Sequence, residues 1–266
     1  MQLTPVWPVG EPGCDHAAMA WVLDLDGVVW LAEQPIDGAA TAVDRLRARG
    51  ERVLFATNNS WARLEEQEAK LDRMGIPAAG DVVTSAMAAA MLVDAGERVL
   101  VCGGPGVVQA VAARGAEPVA DGDAAAVIVG FYRDFDYERL RIAATAVRRG
   151  ARLLATNDDA TYPTPDGPIP GGGALVAAVA CAAGVRPVVA GNPHRPMADL
   201  IRALAGDEGT VVGDRPETDG AFAAALGYRF ALVLTGVTGE ADLPVEPSPD
   251  VVAASLADLV VSGPPR

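Results

Sequence analysis

Two aspartates, Asp24 and Asp26, follow the apolar run Trp21-Val22-Leu23 and precede Gly27. Carboxylates so placed at a strand's end can diverge in role once the chain turns away. One can face a metal ion and attack an electrophile while the other shuttles a proton. Gly27 permits the sharp departure such a loop requires. The motif is short, and an ordinary acidic turn after a strand reads the same way. A second polar group, Thr57-Asn58-Asn59-Ser60, follows the apolar run Arg52–Ala56. A hydroxyl, backbone N–H groups and small amides there suit phosphate oxygens, particularly if Ser60 opens the next helix. A plain helix cap would need only Ser60 or Asn59. A third group, Gly213-Asp214-Arg215-Pro216-Glu217-Thr218-Asp219-Gly220, ends the run Val211-Val212. Mg²⁺ prefers a few carboxylate oxygens together with water and phosphate oxygens. Asp24 and Asp214, carried on neighbouring strand ends, would meet that demand.

The elements that must position these residues alternate along the chain. Ala39–Arg49 reads as a helix ended by Gly50, and Leu64–Met74 as one stopped by Gly75 and Pro77. Further strands are expected at Arg98–Cys102, Ala126–Gly130, Arg152–Ala155, Pro187–Ala190, Thr210–Val212 and Phe230–Leu234. Unbroken Val/Leu/Ile strands with helices between them imply parallel sheets covered on both faces. The segments Arg49–Asn58 and Arg149–Asn157 echo one another as helix, glycine stop, strand and Thr-Asn. They point to two α/β units, each presenting polar groups at strand ends, where open sheets bind ligands. A second domain is expected at 86–183, inserted into a core made of 1–85 and 184–266. Residues 1–18, rich in Pro and Gly, read as a loose arm.

Composition narrows the partners. Among 266 residues, 21 Lys+Arg oppose 35 Asp+Glu for a net charge of −14, and half the chain is hydrophobic. Such a chain has a core to bury and repels phosphate backbones, which disfavours nucleic acid and anionic membrane as partners. An anionic ligand must then be held locally, by a metal ion or oriented N–H groups. Cys14, Cys102 and Cys181 are far apart, odd in number and without C-x-x-C spacing. With only His16 and His194 beside them, they support neither a zinc cage nor a disulfide framework, and fit reduced thiols in a cytoplasmic protein. Residues 1–20 lack the basic start and apolar run of a signal peptide. The longest uncharged stretch, Gly167–Val185, opens with a Pro/Gly run that leaves a buried helix rather than a membrane span.

In order and context, Asp24-Leu25-Asp26-Gly27-Val28, Thr57-Asn58-Asn59-Ser60 and Gly213-Asp214-Arg215-x-x-Thr218-Asp219 resemble the first, second and fourth motifs of the haloacid dehalogenase superfamily. The likeness covers nearly the whole chain. Thr84-Ser85-Ala86, Ala155-Thr156-Asn157-x-Asp159 and Pro170-Gly171-Gly172-Gly173-Ala174-Leu175 are similar to the subgroup with a large α/β cap, which includes phosphoglycolate, glycerol-phosphate and 4-nitrophenyl phosphatase-like enzymes. The resemblance implies a Rossmann-like parallel-sheet core and a Mg²⁺-dependent phosphatase acting on a small phosphorylated metabolite. A homodimer is compatible with it. Asp24 would be the nucleophile and Asp26 the general acid and base. Thr57 and the backbone at Asn58 would hold the phosphoryl group. Asp24, the Asp26 carbonyl and Asp214 would bind Mg²⁺, with Asp219 orienting the site from behind the ligands. An acid at position 26 favours phosphatase over dehalogenase chemistry, since an alkoxide leaving group needs a proton and a halide does not.

One position departs from that pattern. The superfamily's third motif supplies a lysine, usually as Gly-Lys-Pro, but Gly191-Asn192-Pro193-His194-Arg195 carries Asn192 there. Lys70 is the only lysine of the chain, and it is expected on a core helix that does not reach the site. Three outcomes stay open: Arg195 swings into the gap, Asn192 donates a neutral hydrogen bond in a slower enzyme, or the protein binds phosphate ligands without useful turnover. His194 is read as a surface residue. Substrate choice is expected from the cap, through Asn157, Asp159 and a flexible return at Pro170–Gly173, with closure excluding water. Phe131, Tyr132 and Tyr137 either line that pocket or fill a core. Val99–Gln109 also reads as strand, glycine turn and helix, a weak dinucleotide-binding pattern with Asp121 or Asp123 as the ribose acid. Gln109 falls on the position where close helix packing asks for glycine.

Overall fold

The computed structural model describes residues 19–31, 34–162, 164 and 167–262. Cys14, His16 and the expected arm at 1–18 lie outside them. The chain opens with β1 (Ala20–Leu23), the short hairpin β2 (Trp30–Leu31) and β3 (Gln34–Pro35), α1 (Ala39–Ala48), β4 (Arg52–Thr57), α2 (Leu64–Arg73) and β5 (Val82–Thr84). It continues through α3 (Ser85–Ala90), β6 (Arg98–Cys102), α4 (Pro105–Ala113), β7 (Glu117–Val119), β8 (Ala126–Val129), α5 (Tyr137–Arg148) and β9 (Arg152–Ala155). The hairpin β10 (Thr161–Tyr162) and β11 (Ile169–Pro170) leads to α6 (Gly172–Ala183) and β12 (Val188–Val189). It ends with α7 (Arg195–Ala205), β13 (Gly209–Gly213), α8 (Ala221–Leu226), β14 (Arg229–Val233), β15 (Val251–Ala253) and α9 (Leu256–Ser262).

Local signals explain the boundaries. α1 buries Ala39, Ala42, Val43 and Leu46, the i, i+3, i+4, i+7 stripe of a helix lying on a sheet. It stops where Gly50 adopts φ 80, letting Glu51 N–H reach back to the Leu46 carbonyl at 3.1 Å. β1 and β13 are buried at every residue, as central parallel strands must be.

The chain divides into two compact units. The first runs to Thr57 and takes in Gln67–Val83 and the chain from Ala198 onward. Its six strands lie in the order β15-β14-β13-β1-β4-β5, and β1 pairs in parallel with both β13 and β4. Strand order therefore reverses beside β1, the switch point at whose carboxyl edge open α/β sheets bind ligands. The second unit, Asn58–Glu66 and Thr84–Met197, holds the parallel sheet β12-β9-β8-β6-β7. The sequence reading assigned 184–190 to the core. Instead β12 hydrogen-bonds to β9, because an isolated apolar run carries no information about which sheet it joins. Cys102 and Cys181 are free thiols, and burial pushes the Cys102 thiol up to about 12, so it serves as packing. Among the described residues no helix is long and apolar enough to cross a membrane.

Candidate active site

An acidic centre forms in the first unit. Leu23 of β1 lies opposite Val212 of β13, and Asp24 N–H continues the ladder to the Val212 carbonyl at 2.9 Å. The strand ends are thus level, and Asp24 emerges beside Gly213-Asp214. The chain then curls: Val29 and Trp30 donate to the Leu25 carbonyl at 2.9 and 3.1 Å, and Gly27 donates to the Trp30 carbonyl at 2.7 Å. Beyond β13, Pro216–Gly220 forms a single wide π-helical turn. That turn swings Asp219 back, so that its Oδ2 accepts the Arg215 N–H at 2.9 Å and its carboxylate covers Gly213, where a β-carbon would collide with it.

One oxygen each of Asp24, Asp214 and Asp219 lie within 4.8 Å of one another, with Asp214 and Asp219 each 3% exposed. The carboxylates raise one another's affinity for protons. Burial, then the charges of Asp219, Asp26 and Asp214, hold the Asp24 carboxyl well above the usual range. Burial, opposed by the Arg215 N–H and reinforced by Asp214, lifts Asp219 to about 7. Asp214 is raised by burial despite its bond from Val237 N–H. Three crowded hard oxygen donors fit a small divalent cation such as Mg²⁺. Octahedral ligands at 2.0–2.1 Å stand roughly 3–4 Å from each other. The sequence reading kept Asp219 behind the ligands; its carboxylate joins the same cluster.

Asp26 is not one of the three clustered carboxylates, though its charge reaches Asp24 and Asp214. Its side chain is exposed, and Oδ1 accepts the indole N–H of buried Trp30 at 2.9 Å. Lys70 lies on α2 as expected, yet its ammonium is 4.0 Å from the Trp30 ring centre. The single lysine is therefore one side chain away from Asp26, closer to the Asp24–Gly27 loop than the sequence indicated. Nothing in the spacing of Trp30 and Lys70 announced this. Asp214 is held by a further loop the sequence reading passed over: Val237 N–H donates to its Oδ2 at 2.6 Å, and Thr235 Oγ1 donates to the Gly27 carbonyl at 2.5 Å. The signal available was Thr235-Gly236-Val237-Thr238-Gly239, another small polar run after a strand.

A second cluster, of amides, forms in the other unit. Asn58 Nδ2 donates to Asp159 Oδ2 at 3.2 Å and to the Asn192 carbonyl at 3.0 Å. The Asn58 carbonyl accepts from Asn157 Nδ2 at 2.8 Å and Ser85 Oγ at 2.9 Å. Asn58, Asn157, Asp159 and Asn192, singled out separately in the sequence, are thus brought together. Asn58 Oδ1 and Asn192 Oδ1 are buried with no hydrogen-bond partner. Arg195 begins α7 with its side chain exposed, and Thr57, buried, ends β4. His194 Nε2 pairs with Asp158 Oδ2 at 3.0 Å.

Ser60 does not open α2. It is fully buried and accepts from Thr156 Oγ1 at 3.0 Å, while Asn59 Oδ1 takes the Trp61 N–H at 3.1 Å, and the helix begins only at Leu64. Nor is Pro170–Gly173 a flexible return. β-Carbons on Gly171 and Gly173 would strike the backbone of 158–161, and one on Gly172 would stand 2.8 Å from Asn157 Oδ1. These glycines exist for close packing. The same holds for the Gly103–Gly106 turn, where Gly104 and Gly106 abut Trp61 and Ala62, and Gly106 N–H donates to the Trp61 carbonyl at 2.9 Å. The space a pyrophosphate would need is occupied by the chain's own backbone. Phe131 stacks on Tyr162 at 4.9 Å and meets Trp61 edge-on at 6.2 Å, whereas Tyr137 is 80% exposed.

Comparison with known proteins agrees with this geometry. The haloacid dehalogenase-like hydrolase family matches residues 21–117, and the related HAD-hydrolase-like family matches 189–259. A D-glycerol 3-phosphate phosphatase of Mycobacterium tuberculosis is 40% identical over 231 residues, 83% of this chain; the chain spans 64% of that relative's length. An acid sugar phosphatase of Staphylococcus saprophyticus is 35% identical, covering 84% of this chain and 89% of its own. The crystal structure of a glycerol phosphate phosphatase from M. tuberculosis in complex with magnesium superposes with a TM-score of 0.83 at 37% identity, over 91% of this chain and 76% of that one. The fold and the acidic centre define a member of the α/β hydrolytic enzymes that work from the carboxyl edge of a parallel sheet. The chain belongs to the haloacid dehalogenase-like hydrolase family.

Proposed function

We propose that the protein is a Mg²⁺-dependent phosphoric monoester hydrolase for a small phosphorylated metabolite of the glycerol phosphate or phosphoglycolate type. The observation that carries this reading is the convergence of Asp24, Asp214 and Asp219 beside the exposed carboxyl of Asp26. Asp24, the Asp26 carbonyl and Asp214 would hold Mg²⁺, with Asp219 against them. When bound, the ion neutralises carboxylate and phosphoryl charge so that one anion can approach another.

An Asp24 oxygen forms a bond to phosphorus as the bond to the substrate's alcohol oxygen breaks. The Asp26 carboxyl gives its proton to that oxygen, and a neutral alcohol leaves. Asp26, now a carboxylate, takes a proton from water as the water oxygen bonds to phosphorus. The bond between Asp24 and phosphorus breaks, inorganic phosphate leaves, and both aspartates return to their starting states. The Thr57 hydroxyl and the backbone at Asn58 steady the phosphoryl oxygens. Asn157 and Asp159 supply polar groups for the alcohol portion of the substrate.

Asn192, neutral where the family pattern has lysine, leaves the transferring group less compensated, and the enzyme is slow. This position also favours a second reading, in which the protein binds a phosphometabolite without useful turnover. Hydrolysis of 4-nitrophenyl phosphate by the wild type and Asp24→Asn, with and without Mg²⁺, separates the two. Metal-dependent turnover that vanishes in Asp24→Asn supports the enzyme, and equal background rates support the binder.

A further inference from the structure

We infer that Trp30, braced by Lys70, is a positioning residue for Asp26, which sets the proton donor for departure of the alcohol. The inference rests on the proposed phosphatase chemistry and adds to it a role for the only lysine in the chain. Asp26 is exposed, and an exposed carboxylate on a loop samples many orientations. Here one of its oxygens is tied at 2.9 Å to the indole N–H of a side chain that is 2% exposed. The indole cannot follow a wandering carboxylate, because it is packed in the core of the first unit and pinned at its backbone: Trp30 N–H donates to the Leu25 carbonyl and its own carbonyl accepts from Gly27. Lys70 caps the outer face of the ring, its ammonium 4.0 Å from the ring centre. A cation held over the indole face withdraws electron density and makes the ring N–H a better donor. The three residues form one chain of contacts, ammonium to ring face and ring N–H to carboxylate, within a single compact unit. With one oxygen held by the indole, the Asp26 carboxyl keeps one orientation in which to pass its proton to the leaving group.

Trp30→Phe keeps a ring under Lys70 and deletes the N–H. The decisive readout is kcat/KM for two substrates, since it reports the steps through release of the alcohol. Glycerol phosphate releases an alkoxide that must be protonated; 4-nitrophenyl phosphate releases a stable phenolate that needs little help. Trp30→Phe is expected to lower kcat/KM on glycerol phosphate on the order of tenfold, a part of the roughly 10²–10⁴ that general-acid catalysis contributes, and to change it less than about twofold on 4-nitrophenyl phosphate. Lys70→Met, at a half-exposed position, should show the same asymmetry more weakly, and Lys70→Arg, which keeps a cation, should keep the wild-type rates on both substrates. Equal losses on both substrates, or none, would overturn the inference. A spectroscopic readout stands apart from activity: the Trp30 indole N–H resonance, assigned among four tryptophans by its loss in Trp30→Phe, should move upfield in Asp26→Ala. An unmoved resonance would show that the bond is not made. Absence of turnover in the wild type would instead sink the phosphatase reading and leave this resonance test to decide the inference.

Discussion

Gly27 and Asp214 interlock: a β-carbon on Gly27 would stand 2.5 Å from the Asp214 carboxylate, and Gly27 itself adopts φ 82. The two come from opposite ends of the chain, and each fixes the other's conformation. Gly27→Ala therefore strains the backbone by about 1–2 kcal/mol and displaces the Asp214 carboxylate proposed to hold Mg²⁺. Mg²⁺ affinity, measured by calorimetry, should fall at least about tenfold. Wild-type affinity in the variant would show that the glycine is not required for the cluster.

The crowded carboxylates set a pH dependence. Asp219, lifted to about 7, and Asp24, raised with it, hold protons in the metal-free folded state that the unfolded chain releases near its ordinary aspartate values. The folded state then binds more protons than the unfolded one, so stability falls as pH rises from about 4 through about 7. The effect is on the order of a few kcal/mol. The melting temperature of metal-free protein should drop between pH 5 and pH 8, and Mg²⁺ should abolish most of the drop. A metal-free melting temperature that rises over that interval would contradict the proximity of these groups.

Asn192→Lys puts a charge where the chain has a buried, unpartnered amide oxygen. Single donors at such sites are worth roughly 10²–10³ in rate, so kcat on 4-nitrophenyl phosphate should rise by at least about tenfold. No rise would mean that the missing charge is not what limits turnover.

The strands and the order of the motifs were readable, and with them which aspartates follow strand ends, because apolar runs ending in Gly and Asp leave few options for what lies at a strand's carboxyl end; that Asp219 rather than the Asp26 carboxylate joins Asp24 and Asp214 was not. Side-chain direction was not readable. Asp24 and Asp26 are two residues apart, and only the curl around the Leu25 carbonyl separates a half-buried residue from an exposed one. Trp30 and Lys70 meet across 40 residues through packing that no local pattern encodes. The glycine turn at 103–106 looked like a ligand loop because close approach of a phosphate and close approach of a backbone impose the same demand for a missing side chain.

Gln109 explains the misfit in that turn. Its Oε1 accepts the Leu64 N–H at 2.9 Å at the start of α2, and its Nε2 holds both oxygens of Glu65 at 2.6 and 2.8 Å, which lowers the Glu65 carboxyl. Gln109→Ala removes a cap worth about 1 kcal/mol. The melting temperature should fall by roughly 2–4 °C with Mg²⁺ affinity unchanged. An unaltered melting temperature would deny the capping role.

Calorimetric titration of Mg²⁺ into the wild type, Asp24→Asn and Asp214→Asn at pH 6 addresses the acidic centre itself. One ion per chain is expected, with proton release on binding because Asp219 is partly protonated there, and a loss of at least about tenfold in affinity in each variant. No binding to the wild type, or equal affinity in all three proteins, would contradict the account.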